Sequence, residues 1–212
     1  MQNLTVLKLG GSFAVSPELP RWIAAIELSA APLVVVPGGG PFADAVRRAQ
    51  ARMGFDDDTA HVMAIHAMEQ YGRAIVALGT RLVETRDAQE MEAATGRGAI
   101  AVWMPSTMAL SDPDIARDWS VTSDSLAAWL AGRLQASRLV VMKQIDVPAG
   151  TVLDALVRAQ IVDPAFPDHL DPGTALHLCG PSELPRAGAL LARGEAPGVR
   201  VACHGQALVA AQ

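Results

Sequence analysis

Apolar and polar positions along the chain fall into two kinds of block. Short, nearly continuous apolar runs occur at 4–9 (L-T-V-L-K-L), 32–36 (P-L-V-V-V), 99–104 (A-I-A-V-W-M), 138–145 (R-L-V-V-M-K-Q-I), 174–179 (T-A-L-H-L-C) and 198–203 (G-V-R-V-A-C). Runs of this length, rich in aliphatic residues and bounded by Gly or Pro, read as strands buried on both faces. Helical periodicity separates them. It predicts a helix over 17–30, with Ser16 as N-cap, Pro17 at the first helical position and Trp22, Ile23 and Ile26 on one face. A long helix is predicted over 57–83, with Met63, Ile65, Met68, Ile75, Leu78 and Leu82 as packing positions. Others follow the glycines at 38–40 and cover 123–135, 151–160 and 182–193. Strand and helix alternate throughout, so 1–212 is expected to form a single α/β domain, a three-layer αβα sandwich around a mainly parallel sheet.

Composition narrows the picture. Half the residues are apolar and 4% aromatic, which suits helices on an aliphatic sheet. The net charge of -5, without any Lys/Arg cluster, argues against nucleic acid as partner. Cys179 and Cys203 make no disulfide framework and are expected as free thiols. No apolar run approaches 18 residues, and no charged leader precedes one, so a soluble, cytoplasmic protein without membrane contact is expected.

The candidate chemistry begins with two glycine turns, Gly10-Gly11-Ser12 and Gly38-Gly39-Gly40, each directly after a strand. Parallel sheets place ligands beyond the carboxyl ends of their strands, where bare backbone N–H groups can approach a phosphate. Tight strand-to-helix turns would need the same glycines. Of 17 basic residues, fifteen are arginine; Lys8 and Lys143 are the two lysines, each in or beside a strand. An ammonium on a slim stem reaches a single phosphate oxygen where a guanidinium does not fit, although an edge-strand lysine could equally snorkel to solvent. Neither lysine follows a glycine, which excludes G-x-x-x-x-G-K-[ST]. Gly38-x-Gly40-x-x-Ala43 meets the loose dinucleotide fingerprint, but a helix follows where the ribose-binding acid should end a strand.

Taken in order, K-L-G-G-S, P-G-G-G-P-F-A-D, T-S-D-S-L-A-A-W-L-A and K-x-x-D resemble the amino acid kinase superfamily over residues 4–203. The resemblance implies ATP, Mg²⁺ carried by the nucleotide rather than by protein ligands, and direct γ-phosphoryl transfer. It implies that Lys8 and the Gly10 and Gly11 amides, with Ser12, hold the transferred group, and that Gly38, Gly39 and Gly40 cover the acceptor side. Asp124, after Ser123, would orient the lysines; Lys143 would serve the nucleotide side and Asp146 the nucleoside. Missing is the late G-x-G-G-M segment of the branches that phosphorylate amino-acid carboxylates. D-W-S-V-T-S-D-S-L-A-A-W-L-A and the short length are most similar to the small kinases of methanofuran-type cofactor biosynthesis, whose acceptor is an aminomethylfuran phosphate.

An acceptor that is already a phosphate attacks as an anion and needs no general base. Asp44 would suit a substrate ammonium, and Arg47 or Arg48 the acceptor phosphate; a solvated helix face is the plain alternative for all three. His61 and His66, five apart, are spaced poorly for one metal and read as packing or surface residues. Uridylate-like or isopentenyl-phosphate-like kinases, and non-catalytic storage of molybdate or tungstate, stay open. The apolar helix at 57–83 is a candidate contact in a homo-oligomer, and 105–122 has the composition of a lid.

Overall fold

The computed structural model describes residues 3–203. Its strands are β1 (Thr5–Leu9), β2 (Leu33–Pro37), β3 (Leu82–Thr85), β4 (Ile100–Trp103), β5 (Arg138–Met142), β6 (Ala175–Cys179) and β7 (Val199–Arg200). The helices are α1 (Leu19–Glu27), α2 (Gly40–Met53), α3 (Asp57–Leu78), α4 (Ala88–Gly96), α5 (Ser106–Ala109), α6 (Ser123–Arg133), α7 (Leu153–Arg158), α8 (Phe166–His169) and α9 (Leu184–Ala192). One sheet runs in the order β3-β4-β2-β1-β5-β6-β7, parallel except where β7 pairs antiparallel with β6.

Side-chain alternation divides the core into two layers. Val6, Val34, Val36, Trp103, Leu139 and Val141 face one way and pack on Leu126, Ala127, Leu130 and Ala131 of α6. Leu7, Leu9, Val35, Val102, Val140 and Met142 face the other way, onto Trp22 and Ile23 of α1, Tyr71 and Ile75 of α3 and Ala187 of α9. The sandwich expected from sequence is therefore present. All five residues of β1 are buried. Each aliphatic one contributes about 1.5–3 kcal/mol by leaving water, whereas Lys8 in the same strand loses hydration and needs a counter-charge.

Several boundaries differ from expectation. The first helix begins at Leu19, with Pro20 in its first turn; Ser16 instead ends a 3-10 turn, and its hydroxyl accepts from the Glu18 N–H at 3.3 Å. The long helix stops at Leu78, because the extended Gly79 ends it and Leu82 opens β3. Met63 and Leu78 are exposed, while Ile65, Met68, Ile75 and Leu82 are buried as expected. Strand β3 and helix α4 had no counterpart in the sequence reading. The last strand is shorter than 198–203. Cys179 and Cys203 are both free. Among the described residues no helix is long and apolar enough to cross a membrane.

Candidate active site

Strand parity aims the two lysines. Lys8 follows Val6 onto the sheet face covered by α6, and Lys143, one residue beyond β5, follows Leu139 and Val141 onto the same face. Since Lys8 is paired in register with Val141, the lysines stand on adjacent strands, two residues out of step. Helix α6 begins above them and delivers Asp124, which is 4% exposed, between them. Lys143 Nζ donates to Asp124 Oδ2 at 2.5 Å, and Lys8 Nζ lies 2.8 Å from Asp124 Oδ1. The Lys8 contact is a close ion pair between two buried side chains.

The charges determine one another. Burial pushes the Asp124 carboxyl up, but the Lys8 and Lys143 charges outweigh it and hold the group below its ordinary value. Burial and the neighbouring Lys8 charge bring Lys143 down to about 8, against the opposing pull of Asp124. One carboxylate thus serves two ammonium groups, leaving a net positive charge on a rim where the N-terminal amides of α6 add to the potential.

Asp163 sets the start of α6. Its carboxylate accepts from the Thr122 N–H at 2.9 Å, the Thr122 hydroxyl at 2.7 Å, the Ser125 N–H at 3.1 Å and the Ser125 hydroxyl. The helix is capped from 41 residues away rather than by its own Thr122 side chain.

Both glycine turns lie at this rim and pack backbone against backbone. A Cβ on Gly11 would overlap the Gly40 main chain, and one on Gly38 the Gly11 main chain. Gly40 also has φ +53, a left-handed conformation that favours glycine. The Gly38 N–H donates to the Leu9 carbonyl at 2.8 Å, tying the turns to β1. A groove between them is bordered by Gly11, Ser12, Gly39, Gly40 and Asp44. Gly10 is buried and Ser12 exposed, with its carbonyl accepting from the Gln144 amide at 3.0 Å.

Gly39 is shared with a second, deeper pocket of about 80 Å³ between α2, α3 and the segment before α6, whose lining includes Arg47, His61, Met68, Trp119 and Ser123. Arg47 stacks on Trp119 at 4.3 Å from the ring centroid and pairs with Asp44 at 3.0 Å. Trp119 Nε1–H donates to Gln50 at 2.8 Å, and Arg117 pairs with Asp58 at 3.0 Å. Through these bonds the stretch at 105–122, whose composition permits a lid, is fastened to α2 and α3. Asp146 stands at the β6 side, where its carboxylate accepts from the Ser182 N–H at 3.1 Å and hydroxyl at 2.7 Å.

The structure therefore brings together Lys8, Asp124, Lys143 and both glycine turns, with Ser123 and Arg47 at the adjoining pocket. Asp44 is occupied by Arg47, and Asp146 by Ser182. The sequence reading missed Asp163 and Trp119 and gave His61 no role; Asp163 carries no local signal, while W-S-V-T-S-D marked only Trp119's nearness to α6.

A cationic pair fixed by one carboxylate beneath glycine amides is suited to holding phosphoryl oxygens. Residues 3–148 match the amino acid kinase family. The chain belongs to that family. As a kinase it is a phosphotransferase. It is 25% identical over 175 residues, covering 76% of this chain and 80% of the relative, to the [5-(aminomethyl)furan-3-yl]methyl phosphate kinase of Methanocaldococcus jannaschii. The fold is similar to uridylate kinase from Archaeoglobus fulgidus, with TM-score 0.70 and 18% identity over 93% of this chain and 99% of that one. A structure of isopentenyl phosphate kinase gives TM-score 0.58 and 18% identity, covering 93% and 100%. Both structures establish the family fold.

Proposed function

We propose that the chain, acting as one domain, transfers the γ-phosphoryl group of ATP to a small phosphomonoester, [5-(aminomethyl)furan-3-yl]methyl phosphate, giving its diphosphate. The observation that carries this reading is the convergence of Lys8 and Lys143 on Asp124 beside a pocket of about 80 Å³. The pocket shares Gly39 with the groove between the glycine turns, which suits a small acceptor placed next to the lysines. The relative from Methanocaldococcus jannaschii, by its name, acts on such a furan.

In this mechanism Lys8 and the amides of Gly10 and Gly11 hold the oxygens of the moving phosphoryl group, and Lys143 holds the nucleotide side. A loose transition state spreads charge over those oxygens, so fixed cations and N–H donors supply the catalysis. Asp124 keeps both ammonium groups aimed, and Asp163 keeps Asp124 at the helix start. Arg47, on its Trp119 platform, meets the acceptor phosphate, whose oxygen attacks as an anion without a base. Mg²⁺, bound to the nucleotide, would neutralise phosphate charge; among the described residues no cluster of three side chains is arranged to hold a metal. Asp146 keeps a proposed place near the nucleoside, on the β6 side. The exposed Met63 and Leu78 of α3 suit a contact between copies in a homo-oligomer acting in the cytoplasm.

The likeness to uridylate kinases favours a nucleotide acceptor as the second reading. Incubation of the pure protein with ATP, Mg²⁺ and, separately, the furan phosphate, UMP and isopentenyl phosphate, followed by ³¹P NMR, separates the two. A new diphosphate from the furan is expected. Turnover of UMP alone would move the enzyme to the nucleotide branch, and bound molybdenum without any transfer would make it a storage protein.

A further inference from the structure

We propose that Trp119, anchored by Gln50, is a positioning residue for acceptor binding that acts through Arg47, holding the guanidinium flat with its N–H edge free for a phosphate. The assignment rests on the function proposed above only in needing an acceptor that carries a phosphate, and it names the residue that sets how tightly that phosphate is held.

Arg47 is exposed on a long flexible stem, so its guanidinium loses rotamer freedom whenever it keeps one direction. Two contacts hold it. On its edge, Nη1 donates to Asp44 Oδ1 at 3.0 Å, a pair in which both side chains are about half exposed and water screens the attraction. On its face, the guanidinium carbon lies 4.3 Å from the centre of the Trp119 ring, in cation–π contact. Stacking consumes none of the five N–H donors, because all of them lie in the guanidinium plane. Asp44 engages one terminal nitrogen, and the rest of the edge offers the paired donors that a phosphate accepts. Arg47 and Trp119 line the same pocket as Gly39 and Ser123, so the cation stands beside the glycine turn.

A platform aims a cation only if it is itself fixed. Trp119 Nε1–H donates to Gln50 Oε1 at 2.8 Å, and the Nε2 of the same amide donates to Asp57 Oδ1 at 2.8 Å. Both ends of Gln50 are therefore engaged, and the chain Asp57–Gln50–Trp119–Arg47 ties the start of α3 to α2 and to the segment before α6. That segment is braced next to Trp119 as well. The Asp118 carboxylate accepts from the Ser120 N–H at 2.7 Å, and the Ser120 carbonyl accepts from the Ala165 N–H at 3.3 Å. Helix α6 follows directly with Ser123 and Asp124, so one braced stretch carries both the ring that aims Arg47 and the carboxylate that aims the two lysines.

The test is a double-mutant cycle of wild type, Trp119→Leu, Arg47→Ala and the double variant, with KM for the aminomethylfuran phosphate and KM for ATP measured separately and folding followed by circular dichroism. Trp119→Leu should raise the acceptor KM about three- to thirtyfold and leave kcat and the KM for ATP within about twofold. Once Arg47→Ala has removed the guanidinium, adding Trp119→Leu should cost less than about twofold more. Trp119→Phe keeps an aromatic face and should raise the acceptor KM less than Trp119→Leu does. Losses that multiply in the double variant, an equal rise in both KM values, or a Phe variant no better than Leu would overturn the role of Trp119 while leaving the kinase reading intact. Should Trp119→Leu not fold, Trp119→Phe with and without Arg47→Ala decides by the same signs. Turnover of UMP without turnover of the furan would overturn the proposed function instead, and the same cycle run on UMP then decides for or against Trp119. No transfer to any phosphate acceptor would overturn both.

Discussion

Asp124 and Asp44 stand at the same rim, and each meets a cation at 3.0 Å or less, yet their surroundings are opposite. Asp124 has a side chain 6% exposed and touches two lysines; Asp44 is 58% exposed and touches one arginine, three residues on along the same helix. Water screens the Asp44 pair, so it is worth at most a few tenths of a kcal/mol. The Asp124 group cannot be screened. Removing Asp124 strands two ammonium groups in a poorly hydrated space, at a cost of about 3–5 kcal/mol, whereas removing one lysine leaves a neutral pair. Ion pairing by itself therefore says little about function; burial combined with surplus positive charge marks the site.

That contrast can be broken from the buried side first. Asp124→Asn keeps the shape but leaves two ammonium groups facing each other, and should lower the transfer rate by about two to three orders of magnitude, with lower stability in a urea melt. A rate within a few-fold of wild type would mean that the carboxylate does not organise the lysines. Asp163→Ala removes the remote cap and leaves the Thr122 and Ser125 donors unpaired, so a stability loss of about 2 kcal/mol and a reduced kcat are expected. Unchanged kcat would show that the start of α6 holds its position without it.

Lys143 sharpens the comparison through pH. Its folded value, about 8, lies below the ordinary 10.5 because burial and Lys8 disfavour the charge. As pH rises through about 8, the free enzyme loses this cation, so kcat/KM should fall on the alkaline side. The sign for stability is opposite. Between about 8 and 10.5 the unfolded chain holds a proton that the folded chain has released, so this group makes stability rise with pH there. A kcat/KM profile flat to pH 10 would remove Lys143 from the chemistry. The smallest effect belongs to the exposed pair: Asp44→Ala should change stability by less than about 0.5 kcal/mol and kcat/KM by less than about threefold. A large KM increase would restore Asp44 as a substrate contact.

The same contrast explains what could be read in advance. Lys8 and Lys143 were legible as the two lysines among fifteen arginines and as members of motifs resembling a known family, and strand parity carries both side chains onto the α6 face. The glycine turns were legible because nothing larger fits where two backbones cross. Strand β3 was not, since four residues on a sheet edge, L-V-E-T, directly after a long helix read as a continuation of it. Asp163 was invisible because its partners lie 41 and 38 residues away. Asp44 is paired in the structure with Arg47, one turn on, and that i, i+3 pairing was not weighed when Arg47 was assigned to the acceptor phosphate. His61 was read on its helix alone, whereas in the fold it lines a pocket together with Trp119.

The most direct measurement is the single-turnover rate of phosphoryl transfer from ATP to the aminomethylfuran phosphate in Lys8→Ala, with folding checked by circular dichroism. A folded protein that transfers at least about a thousandfold more slowly is the predicted result. A folded Lys8→Ala protein that transfers at close to the wild-type rate would contradict the account, because the ammonium at the end of β1 would then lie outside the reaction.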